Sequence, residues 1–253
     1  MHRLLAKTSE LLCDNPALSS EALRHLKVLR PKNGEVFELF DGAGKFRRYR
    51  YEGSGLTAIA GEGVVFVERP AMELTLFACI TKGSRWDWTI EKATELGVAR
   101  IVPVISERTI VRIAEAERVA KRERYLRIVE EAARQSDALW IPELSEIVDF
   151  TESLALVGKT TCFAGALTEP PSMPIAAAIA AAQAAEKDIG RRGMAVYVGP
   201  EGDFTPAELS ALLELAVPVS LGPRVLRAET AAIFALSVLA AAGHLAASRE
   251  EVK

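Results

Sequence analysis

From Gly34 to Glu68 the chain reads GEVFELF, DGAGK, FRRYRYE, GSG, LTAIA, GEG and VVFVE. These are short alternating or β-branched stretches cut by glycine-bearing turns, a pattern that predicts a small β-barrel or sandwich. After Arg69-Pro70 the period changes. Apolar runs at ELTLFACI, RIVPVIS, TTCFAG, MAVYVG and VPVSLG alternate with helical stretches, which predicts an α/β unit built on a mostly parallel sheet. The change of pattern places a domain boundary near Pro70, giving residues 1–70 and 71–253.

The helices have readable faces. Trp86, Ile90, Ala93 and Gly97 recur at helical spacing while Asp87, Glu91, Lys92 and Glu95 fall off that stripe, so one face packs on the sheet and Gly97 caps the end. Glu115 to Gln135 is crowded with charges of both signs around Val119, Tyr125, Leu126 and Val129 and reads as a solvated, salt-bridged helix. AAAIAAAQAA near Ile179 reads as a tightly packed helix, and the apolar run from Ala231 to Ala242 as a buried one. That run is well short of the ~20 residues that cross a bilayer.

Composition narrows the class. Of 253 residues, 49% are apolar and 26% charged, enough apolar surface for a sizeable core and against disorder. Cys13, Cys79 and Cys162 are odd in number and lack metal-ligand spacing, so neither a disulfide framework nor a zinc site is expected and a reducing cytoplasm fits. The charged start, MHRLLAKTSELLCDNP, argues against a signal segment. Net charge is −3, so an RNA partner requires a local basic surface. Arg24, His25, Lys27 and Arg30, followed by Lys45, Arg47, Arg48 and Arg50 interleaved with Phe46, Tyr49 and Tyr51, are the candidates, since cations and aromatic rings suit phosphate and base. A solvated strand face is the plain alternative.

Two loops carry the chemical signal. In VYVGPEGDFTPAEL a strand runs into Gly199, Pro200, Glu201, Gly202 and Asp203, and Thr205, Pro206 and Glu208 form a capping box that opens a helix. In VSLGPRVLRAETAAIFAL a second strand meets a glycine loop holding Arg224 and Arg227, with Glu229 at the next helix start. Strand-to-helix loops at the carboxyl edge of a parallel sheet are where ligands bind. Acidic residues in the first loop disfavour phosphate, and neither loop has the dinucleotide or nucleoside-triphosphate fingerprint. Arg227 and Glu229 could instead simply pair with each other.

Together GPEGDFTPAE and LGPRVLRAETA resemble the ribosomal RNA small subunit methyltransferase E family of the SPOUT class. RHLKVLR, KGSRWDWTIEKATELGV, IVPVISERTIV and EEAARQS extend the likeness in order along the chain. The resemblance implies a SPOUT-type α/β domain, a parallel sheet tied in a trefoil knot, preceded by a small PUA-like RNA-binding β-barrel. It implies a homodimer that uses S-adenosyl-L-methionine, and no metal, to methylate N3 of a uridine in 16S ribosomal RNA of the small ribosomal subunit. The cofactor residues it implies are Phe163, Gly165, Leu167, Gly199, Pro200, Glu201, Gly202, Leu221, Gly222, Val225 and Leu226. The sequence departs from the family pattern at Asp203, where a second glycine is common. It also departs at Asp137-Ala138-Leu139, which lacks an arginine, and at Leu4-Leu5, where aromatics are frequent.

Uridine N3 must lose its proton before it attacks, so the reaction needs a base and charge stabilisation. Arg227 is the expected electrostatic catalyst, with Glu201 or Glu229 as base. Removing charge at Arg47 and Arg48 is expected to weaken RNA binding. The contrasting expectation is a non-catalytic RNA-binding or ribosome-assembly factor that keeps the fold.

Overall fold

The computed structural model describes residues 1–53, 55–168, 172–185 and 193–250, with side chains as far as Gly243. Ser54 of the Gly53–Gly55 turn and the His244 side chain therefore lie outside the described residues. The chain divides into two compact units, 1–69 with 130–141, and 70–129 with 142–253.

The first unit holds β1 (His2–Leu5), α1 (Thr8–Leu11), α2 (Ser20–Leu29), β2 (Val36–Phe40), β3 (Lys45–Tyr51), β4 (Leu56–Ala58) and β5 (Val65–Phe66). The strands follow the order β1-β2-β3-β4, with β5 on β3; β1 runs parallel to β2 and the remaining pairs are antiparallel. Alternation decides the faces. Phe37, Leu39 and Tyr49 point into a core shared with Leu4, Leu11 and Leu26, while Glu38 pairs across the ladder with Arg48 on the reverse face. There Arg3 donates to Glu38 at 2.8 Å and to the Ala138 carbonyl at 3.2 Å, so residues 137–141 cover that end of the sheet. The turn between β2 and β3 makes this fit possible. Gly44 has φ +87°, and a Cβ there would lie 2.5 Å from Trp140 Cζ2, so only glycine lets the indole rest on the turn.

The second unit is α/β. Its sheet contains β6 (Leu74–Cys79), β7 (Arg100–Ile105), β8 (Glu143–Leu144), β9 (Val148–Asp149), β10 (Thr161–Gly165), β11 (Met194–Val198) and β12 (Ala216–Val219). The order is β12-β10-β11-β6-β7-β8, with β9 also on β7, and every pair is parallel. All residues of β6 and β11 are buried, as expected of strands covered on both faces. Phe77 and Tyr197, neighbours across the β6–β11 ladder, stack at 4.4 Å between ring centres. Pro103 falls between the segments of β7 that pair with β8 and with β9, so its missing N–H interrupts neither ladder.

The helices are α3 (Ser84–Glu95), α4 (Glu115–Gln135), α5 (Phe150–Ala155), α6 (Ile175–Ala185), α7 (Pro206–Leu213) and α8 (Ala228–Glu250). In α3 the stripe Trp86, Ile90, Ala93 is buried and Gly97 follows the helix at φ +76°, as the spacing predicts. Two readings need correction. The cations of α4 are not all solvated: Arg122 donates to the carbonyls of Leu144 and Ser145 at 2.7–3.2 Å, and Arg118 to that of Ile147 and to Asp149. Their guanidinium groups satisfy the backbone of 144–149, which the periodicity could not show. The run in α8 is buried along one face rather than all round. Ala228, Ala232, Ala235, Leu236 and Leu239 are buried, while Phe234 is 42% exposed.

Candidate active site

Three neighbouring strands end together. In the ladder Gly165 pairs with Val198 on one side and Val219 on the other, so the loops after β10, β11 and β12 leave one edge of the sheet side by side. The approach is close: a Cβ on Gly165 would stand 3.1 Å from Leu221 Cδ1 and 3.5 Å from the Tyr197 carbonyl. Phe163 is fully buried beneath this edge, whereas Leu167 (64%) and Val225 (78%) are exposed on it. The sequence-derived cofactor residues on the three loops are thus brought to one place, and Gly222, at φ +128°, has open space where a side chain would be.

The loop after β11 is held firmly. Gly199 and Pro200 are buried, and Asp203 N–H closes a turn on the Pro200 carbonyl at 3.0 Å. Thr205 caps α7 as its spacing predicts: its Oγ1 accepts from Glu208 N–H at 3.2 Å, and Glu208 Oε2 accepts from Thr205 N–H at 2.9 Å. Glu208 Oε1 also accepts from Glu107 N–H at 2.9 Å. Arg108 donates to the carbonyls of Gly202 and Phe204 at 3.0 and 3.3 Å. Sequence reasoning missed Arg108 and Arg85, because neither lies in a glycine loop and their partners are 94 and 116 positions away.

The charged candidates separate. Glu201 pairs with Arg85 at 3.3 Å. Glu229 and Arg227 do not pair with each other: Arg227 is exposed and has no partner among the described residues, and Glu229 Oε2 is buried without one. A buried, unmatched carboxylate oxygen is costly unless something else meets it. Small residues and exposed apolar side chains on one edge suit a ligand with a flat apolar body. Among the described residues no group of three or more His, Cys, Asp or Glu could hold a metal ion.

The sequence-derived RNA residues do not form one surface. Tyr49 and Leu26 of α2 share a core, so Arg48 and Arg50, on the opposite face of β3, point away from the helix that carries Arg24, His25 and Lys27. Arg47 is engaged within the unit: it donates to Asp14 at 2.8 Å and to the carbonyls of Glu62 and Leu11. Arg24, Lys27, Arg30, Arg48 and Arg50 are exposed and Lys45 is half-buried. Burial and the nearby Arg134 lower the pKa of His25 from 6.5, so it offers a ring rather than a charge at neutral pH. Lys and Arg outnumber Asp and Glu by eleven to nine over residues 1–69, but residues 130–141 add one and three, leaving the unit neutral.

The fold, with the family models that match it, defines an RNA methyltransferase of the α/β type with a PUA domain. The profile described as RNA methyltransferase domain matches residues 68–240, and that described as RNA methyltransferase PUA domain matches residues 18–59. The ribosomal RNA small subunit methyltransferase E of Synechocystis is 30% identical over 93% of this chain and 76% of its own length. That of Mycobacterium bovis is 31% identical over 87% and 83%. A crystal structure of the Neisseria gonorrhoeae enzyme of the same name, bound to S-adenosyl methionine, superposes with a TM-score of 0.78 at 30% identity, covering 94% of this chain and 96% of that one. The chain belongs to the ribosomal RNA small subunit methyltransferase E family.

Proposed function

We propose that the protein methylates N3 of a uridine in 16S ribosomal RNA of the small ribosomal subunit with S-adenosylmethionine, acting in the cytoplasm as a homodimer with a trefoil-knotted α/β domain. The observation that carries the reading is the meeting of three strand-end loops around Gly165, where Leu221 lies within van der Waals reach. In this reading Gly165, Leu167, Gly199, Pro200, Gly202, Leu221, Gly222, Val225 and Leu226 hold the cofactor, largely through backbone, over the buried Phe163. The bound cofactor supplies an electrophilic methyl group on a sulfonium; the N3–carbon bond forms as the sulfur–carbon bond breaks.

The chain's own side chains prepare the nucleophile. Glu229 takes the N3 proton, a role that fits its unmatched oxygen, while Glu201, already paired with Arg85, shapes the loop and its ribose contacts. Arg227, exposed and without a described partner, stabilises the negative charge that deprotonation leaves on the uracil oxygens. RNA is gripped by exposed cations of the first unit, Arg48 and Arg50 on the reverse face of β3; Arg24, Lys27, Arg30, Lys45 and the His25 ring lie off that face. Phe234, large and exposed on α8, is the kind of side chain a second copy covers. Among the described residues no helix is long and apolar enough to cross a membrane.

The test is incubation with small subunits lacking the modification and labelled S-adenosylmethionine, followed by mass mapping. One methyl on one uridine N3 is expected. Retained RNA binding with no methyl transfer would instead leave a non-catalytic assembly factor.

A further inference from the structure

The residue after Gly202 has a left-handed backbone, φ +56°, yet is not glycine. Aspartate tolerates that region better than most residues, and here its side chain does something glycine could not. Asp203 Oδ2 accepts from Leu167 N–H at 3.1 Å, 36 positions away on the loop after β10, and Oδ1 accepts from Phe204 N–H at 2.8 Å. The carboxylate lies over Gly199, where a Cβ would be 3.1 Å from Oδ1. One carboxylate therefore ties the loop after β10 to the loop after β11, while Arg108 holds the second loop through two carbonyls.

We infer that Asp203 is a positioning residue: its carboxylate fastens the Leu167 wall to the Gly199–Phe204 loop and so presets the cofactor pocket before ligand arrives. This rests on the function proposed above. A loop already ordered loses less entropy on binding, and that saving appears as affinity for the cofactor rather than as rate of the chemical step. The Leu167 N–H is already committed to Asp203, so the ligand is gripped by other donors, and Leu167 contributes its exposed side chain as an apolar wall.

The variants Asp203→Gly and Asp203→Asn separate the possibilities. Glycine accepts the left-handed backbone and removes both hydrogen bonds; asparagine keeps the backbone and one acceptor oxygen but turns a donor toward the second N–H. Calorimetric titration with S-adenosylmethionine is expected to show Kd raised roughly tenfold in D203G and by less in D203N. Turnover at saturating cofactor should stay within about twofold, because no reacting atom is touched. Without ligand, hydrogen exchange at the Leu167 amide should quicken in D203G while thermal stability holds. Wild-type affinity in D203G, or equal losses of affinity and thermal stability, overturns the inference and leaves the proposed function standing. Wild-type protein that does not bind S-adenosylmethionine overturns both.

Discussion

Arg227 and Glu229 stand two positions apart at the start of a long helix, and spacing alone allowed them to be a plain ion pair. The structure leaves Glu229 Oε2 buried and unmatched and Arg227 exposed, so the two are not an ion pair, and the proposed function gives each a part in catalysis. Arg227→Ala is expected to lower kcat about 10²-fold, the usual loss when one charge-stabilising donor is removed. Glu229→Gln should lower it by at least about 10²-fold. Both should leave Kd for S-adenosylmethionine within a few-fold, as measured by calorimetry beside single-turnover kinetics. Cysteine gives an independent check on the packing. Cys79 and Cys162 are buried and burial pushes both thiols up to about 12, while Cys13 is exposed. At pH 8 a thiol reagent should therefore modify Cys13 alone in the native protein and all three after denaturation, counted by intact mass.

At the level of elements, the capping box at Thr205 was legible because its chemistry is local: three residue types at fixed spacing satisfy the first N–H groups of α7. Thr205→Ala is expected to cost about 1 kcal/mol of stability, within the ~0.5–2 kcal/mol range for lost caps. Thermal unfolding should show it as a fall in Tm of about 2–4 °C. The same local logic made β2 to β5, the five longer strands of the parallel sheet and the buried stripe of α3 readable. What escaped was non-local. The two-residue strands β8 and β9 exist because they pair with β7, and a dipeptide carries no period. Strand β1 is hidden in a charged amino end, since Arg3 is buried by pairing with Glu38 and the Ala138 carbonyl, 35 and 135 positions away. Arg47 looked like its neighbour Arg48, but strand alternation turns it inward beside Tyr49, so the basic run is not one surface.

Over the whole molecule, the glycine loops pointed to a candidate site, and the strand order brings the ends that carry them side by side, since sequence gives loops but not which strand ends are neighbours. The proposed function assigns RNA binding to the first unit. The double variant Arg48→Ala/Arg50→Ala should weaken binding of a small-subunit RNA fragment and make the slope of log K against log salt shallower by about 1.4–1.8. Arg47→Ala should mainly lower stability, because that guanidinium already binds Asp14, Leu11 and Glu62. An unchanged slope in the double variant would place the RNA elsewhere, with Arg24, Lys27 and Arg30 the next to test. The most direct measurement is an amide chemical-shift map of the full chain titrated with S-adenosylmethionine. Saturable shifts should arise together at Gly165–Leu167, Gly199–Phe204 and Leu221–Leu226. Shifts confined to one of these loops, or none at millimolar ligand, would contradict a shared pocket and with it the methyl-transfer reading.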